Sequence, residues 1–377
     1  MPAYLDCNAT TPVELDVLEA VVRFMRDDYG NAGSRTHEFG ALAKQAVQNA
    51  RDRIRSIVGA EREEVLFTSG ATESNNMAIL GLAREGRKQN KRHIITTAIE
   101  HKAVLEPIEH LVREGFEATI LPVDRAGRVS ADHIADALRD DTLLVSMMHV
   151  NNETGVIQPI EDAVKVLANH DAFLHVDAAQ GFGKEIHALQ DHRIDLISIS
   201  GHKIYAPKGI GALIARRRGY RTAPLSPLMY GGGQERGLRP GTMPVQLIVG
   251  LGVASEIAQR EHCERKRRCL DMRAEALDAL ADLDPVIHGD PNFIAPHVLN
   301  ISLQEIDAEA AMVALKGVAA VSNGSACTSH SYQPSHVLEA MGLSEDEIST
   351  ALRISWCHLT GDIDWSEIRD ALMALRR

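Results

Sequence analysis

Six short apolar runs rich in β-branched residues, at 64–68, 93–97, 142–146, 172–176, 195–199 and 211–214, punctuate the middle of the chain. Such runs read as buried strands. Several are separated by helix-length segments with apolar residues three and four apart, such as Val104, Leu105, Ile108, Leu111 and Val112. That alternation predicts a mostly parallel sheet covered by helices, an α/β domain. A chain of 377 residues also exceeds the roughly 250–300 at which single cores stop growing, so two domains are expected.

Beyond residue 258 the pattern changes to a long charged helix over 261–282, a strand at 298–303 and a helix near 309–315, which predicts a smaller α+β domain. The division expected is a large domain over 15–258 and a small one made of 1–14 and 259–377, with the N-terminal segment tied to the small domain or to the interface. The glycine-rich stretch 231–237 reads as a loop joining the domains or lining a cleft.

Several classes of function are disfavoured. No stretch approaches the ~18 uninterrupted apolar residues of a membrane span, and residues 1–6 lack the basic and apolar segments of a secretory signal, so a cytoplasmic protein is expected. The five cysteines, at 7, 263, 269, 327 and 357, form no C-x-x-C pair and no spacing suited to zinc or a disulfide framework. A net charge of −12 argues against direct nucleic-acid binding, and the basic clusters 216–218 and 265–268 read as solvated faces balanced by acids such as Glu261 and Glu264.

Residues 68–74 (Thr-Ser-Gly-Ala-Thr-Glu-Ser) combine a strand end, a glycine turn and a helix start, which suits a phosphate held by backbone N–H groups, although a well-capped helix would look alike. Asp177 and Lys203 each follow a predicted strand, where ligands of α/β sheets sit. A lysine for a Schiff base and an aspartate for a pyridine nitrogen are the two protein groups that pyridoxal 5'-phosphate (PLP) most needs. Either alone reads as a surface charge. His101, near the end of another strand, suits ring stacking or proton transfer, or is simply a surface histidine.

The chain resembles the PLP-dependent cysteine desulfurases of the NifS/IscS class. The resemblance rests on Tyr4-Leu5-Asp6, residues 9–12, 69–76, 100–105, 151–155, 175–180, Ser200-Gly201-His202-Lys203 and Gly324-Ser325-Ala326-Cys327-Thr328-Ser329, and so covers nearly the whole chain. It implies the PLP-dependent transferase fold of the aspartate aminotransferase type, with a mostly parallel seven-stranded sheet in the large domain and a smaller α+β domain, and a homodimer. It further implies that Lys203 holds PLP, Asp177 pairs with the pyridine nitrogen, His101 stacks on the ring and Gln180 reaches the phenolic oxygen. Ala71, Thr72, Ser200 and His202 would bind the phosphate, joined by Thr242 of the partner subunit. Asn152 and Arg353 would hold the substrate carboxylate. The substrate implied is L-cysteine, converted to alanine as its sulfur passes to Cys327 as a persulfide and then to an acceptor protein. Lys203 would remove the α-proton, and His101 is the candidate for proton transfer at Cys327, because an ordinary thiol near pKa 8.5 is only a few per cent thiolate at about pH 7. Cys7, Cys263, Cys269 and Cys357 read as inert thiols, and no metal is expected.

Two places depart from the family pattern. Position 7 is cysteine where many relatives have asparagine or tyrosine, and residues 353–358 read Arg-Ile-Ser-Trp-Cys-His in place of the commoner Arg-Phe-Ser-Leu-Gly-Arg. The catalytic set is untouched. The acceptor is open between iron–sulfur assembly, tRNA thiolation and the system that replaces a DNA phosphate oxygen with sulfur, and the likeness is strongest to desulfurases of DNA phosphorothioation. Rival readings are another PLP reaction, such as transamination or selenocysteine lysis, and a PLP-binding scaffold in a modification complex.

Overall fold

The computed structural model describes residues 2–323 and 334–376. Its main sheet has seven strands: β1 (Val65–Thr68), β2 (His93–Thr97), β3 (Glu117–Leu121), β4 (Thr142–Met148), β5 (Phe173–Asp177), β6 (Leu196–Ser200) and β7 (Gly211–Ala215). Their spatial order is β1-β7-β6-β5-β4-β2-β3. Only β7 runs against its neighbours, so β1 through β6 share one direction.

The central strands are buried on both faces, which explains why they read as continuous apolar runs. Strand β3 is the one the apolar runs miss. It lies at the sheet edge, with Glu117 and Ile120 exposed, and an edge strand has less need of apolar side chains. One core, built from residues such as Val47, Ile54, Val145, Val176 and Ile248, packs the helices Glu38–Val58 and Val245–Arg260 onto one face. Another, with Ile79, Leu82, Val104 and Leu111, packs Ala71–Gln89 and Lys102–Arg113 onto the other.

A separate core gathers Leu5, Met272, Leu299, Ile354, Trp356 and Trp365 around the helix His262–Ala279 and a three-stranded antiparallel sheet of Val286–Ile287, Val298–Ser302 and Ala351–Ser355. The charged helix thus stops a turn short of its expected end, at a 3-10 turn over Ala281–Leu283. The N-terminal segment belongs to this region. Ala3–Tyr4 pairs in parallel with Ala319–Ala320, Asp6 bridges to Ser355, and Asn8 then reaches over the carboxyl ends of the large sheet.

Two expectations are corrected by packing. Arg216 is no part of a solvated face: it is buried and donates to the carbonyls of Leu189, Ile194, Asp191 and Val58, while Arg218 grips Asp195. The cluster closes the amino-end loops of the sheet, because buried guanidinium donors need acceptors. The glycine-rich loop does not join the two regions either. Its Glu235 is buried, pairs with Arg51 and accepts from the backbone of Phe67, which docks the loop on the large sheet. The cluster at 265–268, by contrast, is paired with acids, as Arg265 with Glu14 and Glu261 and Arg267 with Glu264. Among the described residues no helix is long and apolar enough to cross a membrane, and no cluster of side chains suits a metal ion.

Candidate active site

Because β1, β2, β4, β5 and β6 run the same way, their carboxyl ends open onto one side of the sheet. A cavity of about 520 Å³ sits there. Each strand contributes through the loop that follows it: Gly70, Ala71 and Thr72 after β1, His101 after β2, Asn152 after β4, Asp177 and Gln180 at and after β5, and Ser200, His202 and Lys203 at and after β6. Arg353 enters from the small sheet.

The turn after β1 is made by Gly70 at φ +154, and it crosses directly over β7. A Cβ on Gly211 would lie 2.6 Å from the Gly70 Cα and 2.4 Å from the Ile199 carbonyl, so Gly211 must be glycine for the backbones to meet this closely, while Gly70 is favoured by its positive φ. The helix Ala71–Gln89 that follows has no side-chain cap. Glu73 braces the turn, accepting from the Ser69 N–H at 2.7 Å and pairing with Arg239 at 2.9 Å. An uncapped start of a long helix presents N–H groups and a positive dipole end to an anion.

Asp177 is anchored from two sides. Its Oδ2 accepts from Asn75 Nδ2 at 2.7 Å and its Oδ1 from the Ala179 N–H at 2.9 Å. Lys203 Nζ donates to the carbonyls of Asn8 and, at 2.8 Å, Ala9. Asn8 also accepts from Gln180 Nε2 at 2.9 Å and donates its Nδ2 to the Asn152 carbonyl at 3.1 Å. The N-terminal strap therefore ties three predicted site residues together.

His101 caps the helix Lys102–Arg113, its Nδ1 accepting from the Ala103 N–H at 3.0 Å. An acceptor Nδ1 places the proton of the neutral ring on Nε2. His202, half-buried and beside Lys203 and Lys208, is held down to a pKa of about 4, first by desolvation and then by those charges, so its ring is neutral. Arg353 donates to Asp6 Oδ1 at 2.8 Å and to the Asn152 carbonyl at 3.1 Å.

Not every expected residue meets in the cavity. Thr242 is exposed ahead of the helix Val245–Arg260 and outside the cavity of its own chain. Cys327 lies outside the described residues. Its neighbours in sequence that are described end close to the site: Ser322 pairs with the backbone of Arg353, Ser335 Oγ donates to Glu153 and His336 Nε2 meets the Glu100 carbonyl at 2.9 Å.

Sequence reasoning gave no role to Asn8, Asn75, Glu100 or Lys208. Asn75 carried a signal, a polar residue one turn into a helix on its buried side. Glu100 is wholly buried between Thr97, whose hydroxyl it accepts at 2.7 Å, and the Met148 N–H at 2.8 Å. Burial, with a smaller contribution from Asp177, lifts its pKa to about 8, so it is a neutral acid at pH 7.

The residues present suit PLP. The uncapped helix start with Ser200 and His202 matches a phosphate, Asp177 a protonated ring nitrogen and Lys203 a Schiff base. Among the described residues, buried Gln180 Oε1 and Asn75 Oδ1 have no hydrogen-bond partner, as expected of polar atoms lining a polar ligand's site.

Comparison with known proteins agrees with this geometry. Residues 3–363 match the aminotransferase class-V family model. The cysteine desulfurase IscS of Vibrio vulnificus is 45% identical over 383 aligned positions, covering 100% of this chain and 94% of the relative. That of Escherichia coli is 46% identical over 358, covering 94% and 88%. Among solved structures, a NifS-like protein superposes with a TM-score of 0.90 at 37% identity, covering 100% of this chain and 98% of its own. DndA from Streptomyces lividans superposes with 0.83 at 52% identity, covering 94% and 99%. With a cavity built for PLP at the carboxyl ends of a mostly parallel seven-stranded sheet, this chain belongs to the class-V aminotransferase family of PLP-dependent enzymes.

Proposed function

We propose that the protein is a PLP-dependent cysteine desulfurase that converts L-cysteine to L-alanine, places the sulfur on Cys327 as a persulfide and passes it to an acceptor protein. The observation that carries this reading is one cavity lined by Lys203 and Asp177 together with Arg353 and Asn152. Bound PLP supplies the electron sink for the charge left when the substrate loses its α-proton.

These residues line one cavity, and in it Asp177, fixed by Asn75, would pair with the ring nitrogen, Ala71, Thr72, Ser200 and His202 would take the phosphate, Gln180 would reach the phenolic oxygen and His101 would stack on the ring. Arg353 offers a planar fork to the substrate carboxylate beside Asn152. Lys203 Nζ takes the α-proton. The Cys327 thiolate attacks the substrate sulfur, the carbon–sulfur bond breaks, and protons return to carbon, so cysteine and one thiol become alanine and one persulfide. His101 moves the proton at Cys327.

The two hydrophobic cores support a division into residues 15–258 and residues 1–14 with 259–377. A homodimer working in the cytoplasm is part of this reading. Leu15, Leu18, Val22 and Met25 form an exposed apolar stripe along one helix, and exposed Thr242 would reach the partner's phosphate. DNA phosphorothioation is the proposed destination of the sulfur, supported by 52% identity to DndA against 45% to the Vibrio IscS. With an acceptor protein carrying the sulfur onward, the desulfurase itself need not touch DNA.

The test is sulfide and alanine release from L-cysteine in the presence of a reductant and no keto acid, comparing the PLP-loaded wild type with Cys327→Ser. Release of both by the wild type and of neither by the variant is expected. Equal activity of the variant would move the assignment to another PLP reaction. The destination is tested separately, by whether the gene restores iodine-cleavable phosphorothioate linkages to the DNA of a host lacking its own desulfurase for that system.

A further inference from the structure

The two departures from the family pattern, 350 positions apart in sequence, meet in space. Cys7 and Cys357 pack against each other and against Tyr205 in a small buried cluster, each about 1% exposed. The backbone holds them there: the Cys7 N–H donates to the Ser355 carbonyl at 3.1 Å, and Asp6 bridges Ser355 in parallel. Thr360 clamps Cys357, accepting from its N–H at 2.9 Å while its hydroxyl donates to Sγ at 3.7 Å.

Contact with Cys7, together with the Thr360 hydroxyl, lowers the pKa of Cys357, while contact with Cys357 and burial raise that of Cys7. The sulfur with the lowered pKa is the readier nucleophile, and its neighbour packs directly against it, as an attacking and a resolving sulfur must. Tyr205 also lines a cavity of about 30 Å³, enough for a molecule the size of water.

We propose that Cys7 and Cys357 are a reversible redox pair that forms a disulfide on reaction with a peroxide. The Cys357 thiolate attacks one peroxide oxygen, the O–O bond breaks, and a sulfenic acid and one water result after proton uptake. Cys7 sulfur then attacks the sulfenic sulfur, the S–S bond forms and a second water leaves. Two thiols lose two electrons and two protons, and one hydrogen peroxide becomes two waters.

The link would bear on the active site. Asn8 follows Cys7 directly and its carbonyl holds Lys203 and Gln180, while its N–H donates to Ser355 Oγ at 2.9 Å. A disulfide would fasten the strap that carries Asn8 to the end of the strand that carries Arg353.

The experiment uses the PLP-loaded Cys327→Ser protein, so that oxidation of Cys327 plays no part. It is treated with hydrogen peroxide, remaining thiols are alkylated in denaturant, and the digest is mapped by mass without reduction. The expected result is a peptide pair linking Cys7 to Cys357, lost on dithiothreitol treatment, with an unfolding midpoint several degrees above that of the reduced protein. Adding Cys357→Ala should abolish both the link and the shift. Recovery of both cysteines as thiols, over-oxidation of either without a link, or a link between Cys357 and Cys269 overturns the proposal. None of these readouts depends on desulfurase activity.

Discussion

Asn75 donates a 2.7 Å hydrogen bond to Asp177 across the joint between the first helix of the cavity and strand β5, and both side chains are buried. The bond fixes one carboxylate oxygen while the Ala179 N–H fixes the other. A buried carboxylate with fixed donors on both oxygens is held in one orientation, which a partner for a protonated ring nitrogen requires. Asn75→Ala removes one donor from a buried charge, a loss of about 1–3 kcal/mol. The expected outcome is a lower unfolding midpoint together with weaker PLP retention, read from cofactor absorbance after gel filtration. A lower midpoint with normal retention would make Asn75 a packing residue alone.

Arg353 spans Asp6 and Asn152 with separate nitrogens and still faces the cavity. A lysine carries a point charge and cannot keep this fork. Arg353→Lys should raise KM for L-cysteine about 10- to 100-fold, equivalent to roughly 1.4–2.7 kcal/mol, with kcat changed much less. Steady-state alanine release checks this, and an unchanged KM would remove Arg353 from the substrate site.

Glu100 keeps its proton in the folded protein up to about pH 8, whereas its ordinary value is 4.5. The folded state therefore binds a proton that the unfolded state has released between those limits. Its contribution to stability is complete below about pH 4.5 and is lost as pH rises towards 8. Glu100→Gln keeps an acceptor for Thr97 and Met148 and is neutral throughout, so its midpoint relative to wild type should climb between pH 5 and 8.5. Thermal melts across that range decide it. A constant difference would mean that Glu100 does not titrate there.

The exposed stripe of Leu15, Leu18, Val22 and Met25 lies opposite the buried Val17 and Val21 of the same helix. If this stripe is the interface of the proposed homodimer, Leu18→Glu combined with Val22→Glu should yield a monomer in analytical ultracentrifugation, since two charges in an apolar contact go unpaired. An unchanged dimer would place the interface elsewhere.

The sequence by itself determined the α/β class, because a buried strand must be apolar on both faces and the helix period is written along the chain. It also determined that Asp177 and Lys203 stand at strand ends, which puts them on one side of a parallel sheet. The edge strand Glu117–Leu121 escaped that logic, since its partial exposure relieved it of a continuous apolar run. Only the tertiary structure decided how Asn8 reaches Lys203, Gln180 and Asn152, how Asn75 meets Asp177, and that Cys7 lies against Cys357. These contacts join residues 102 to 350 positions apart, and no local periodicity specifies them. They depend on the crossing of the N-terminal strap over the sheet, where a buried polar atom is satisfied by whichever distant partner the fold delivers.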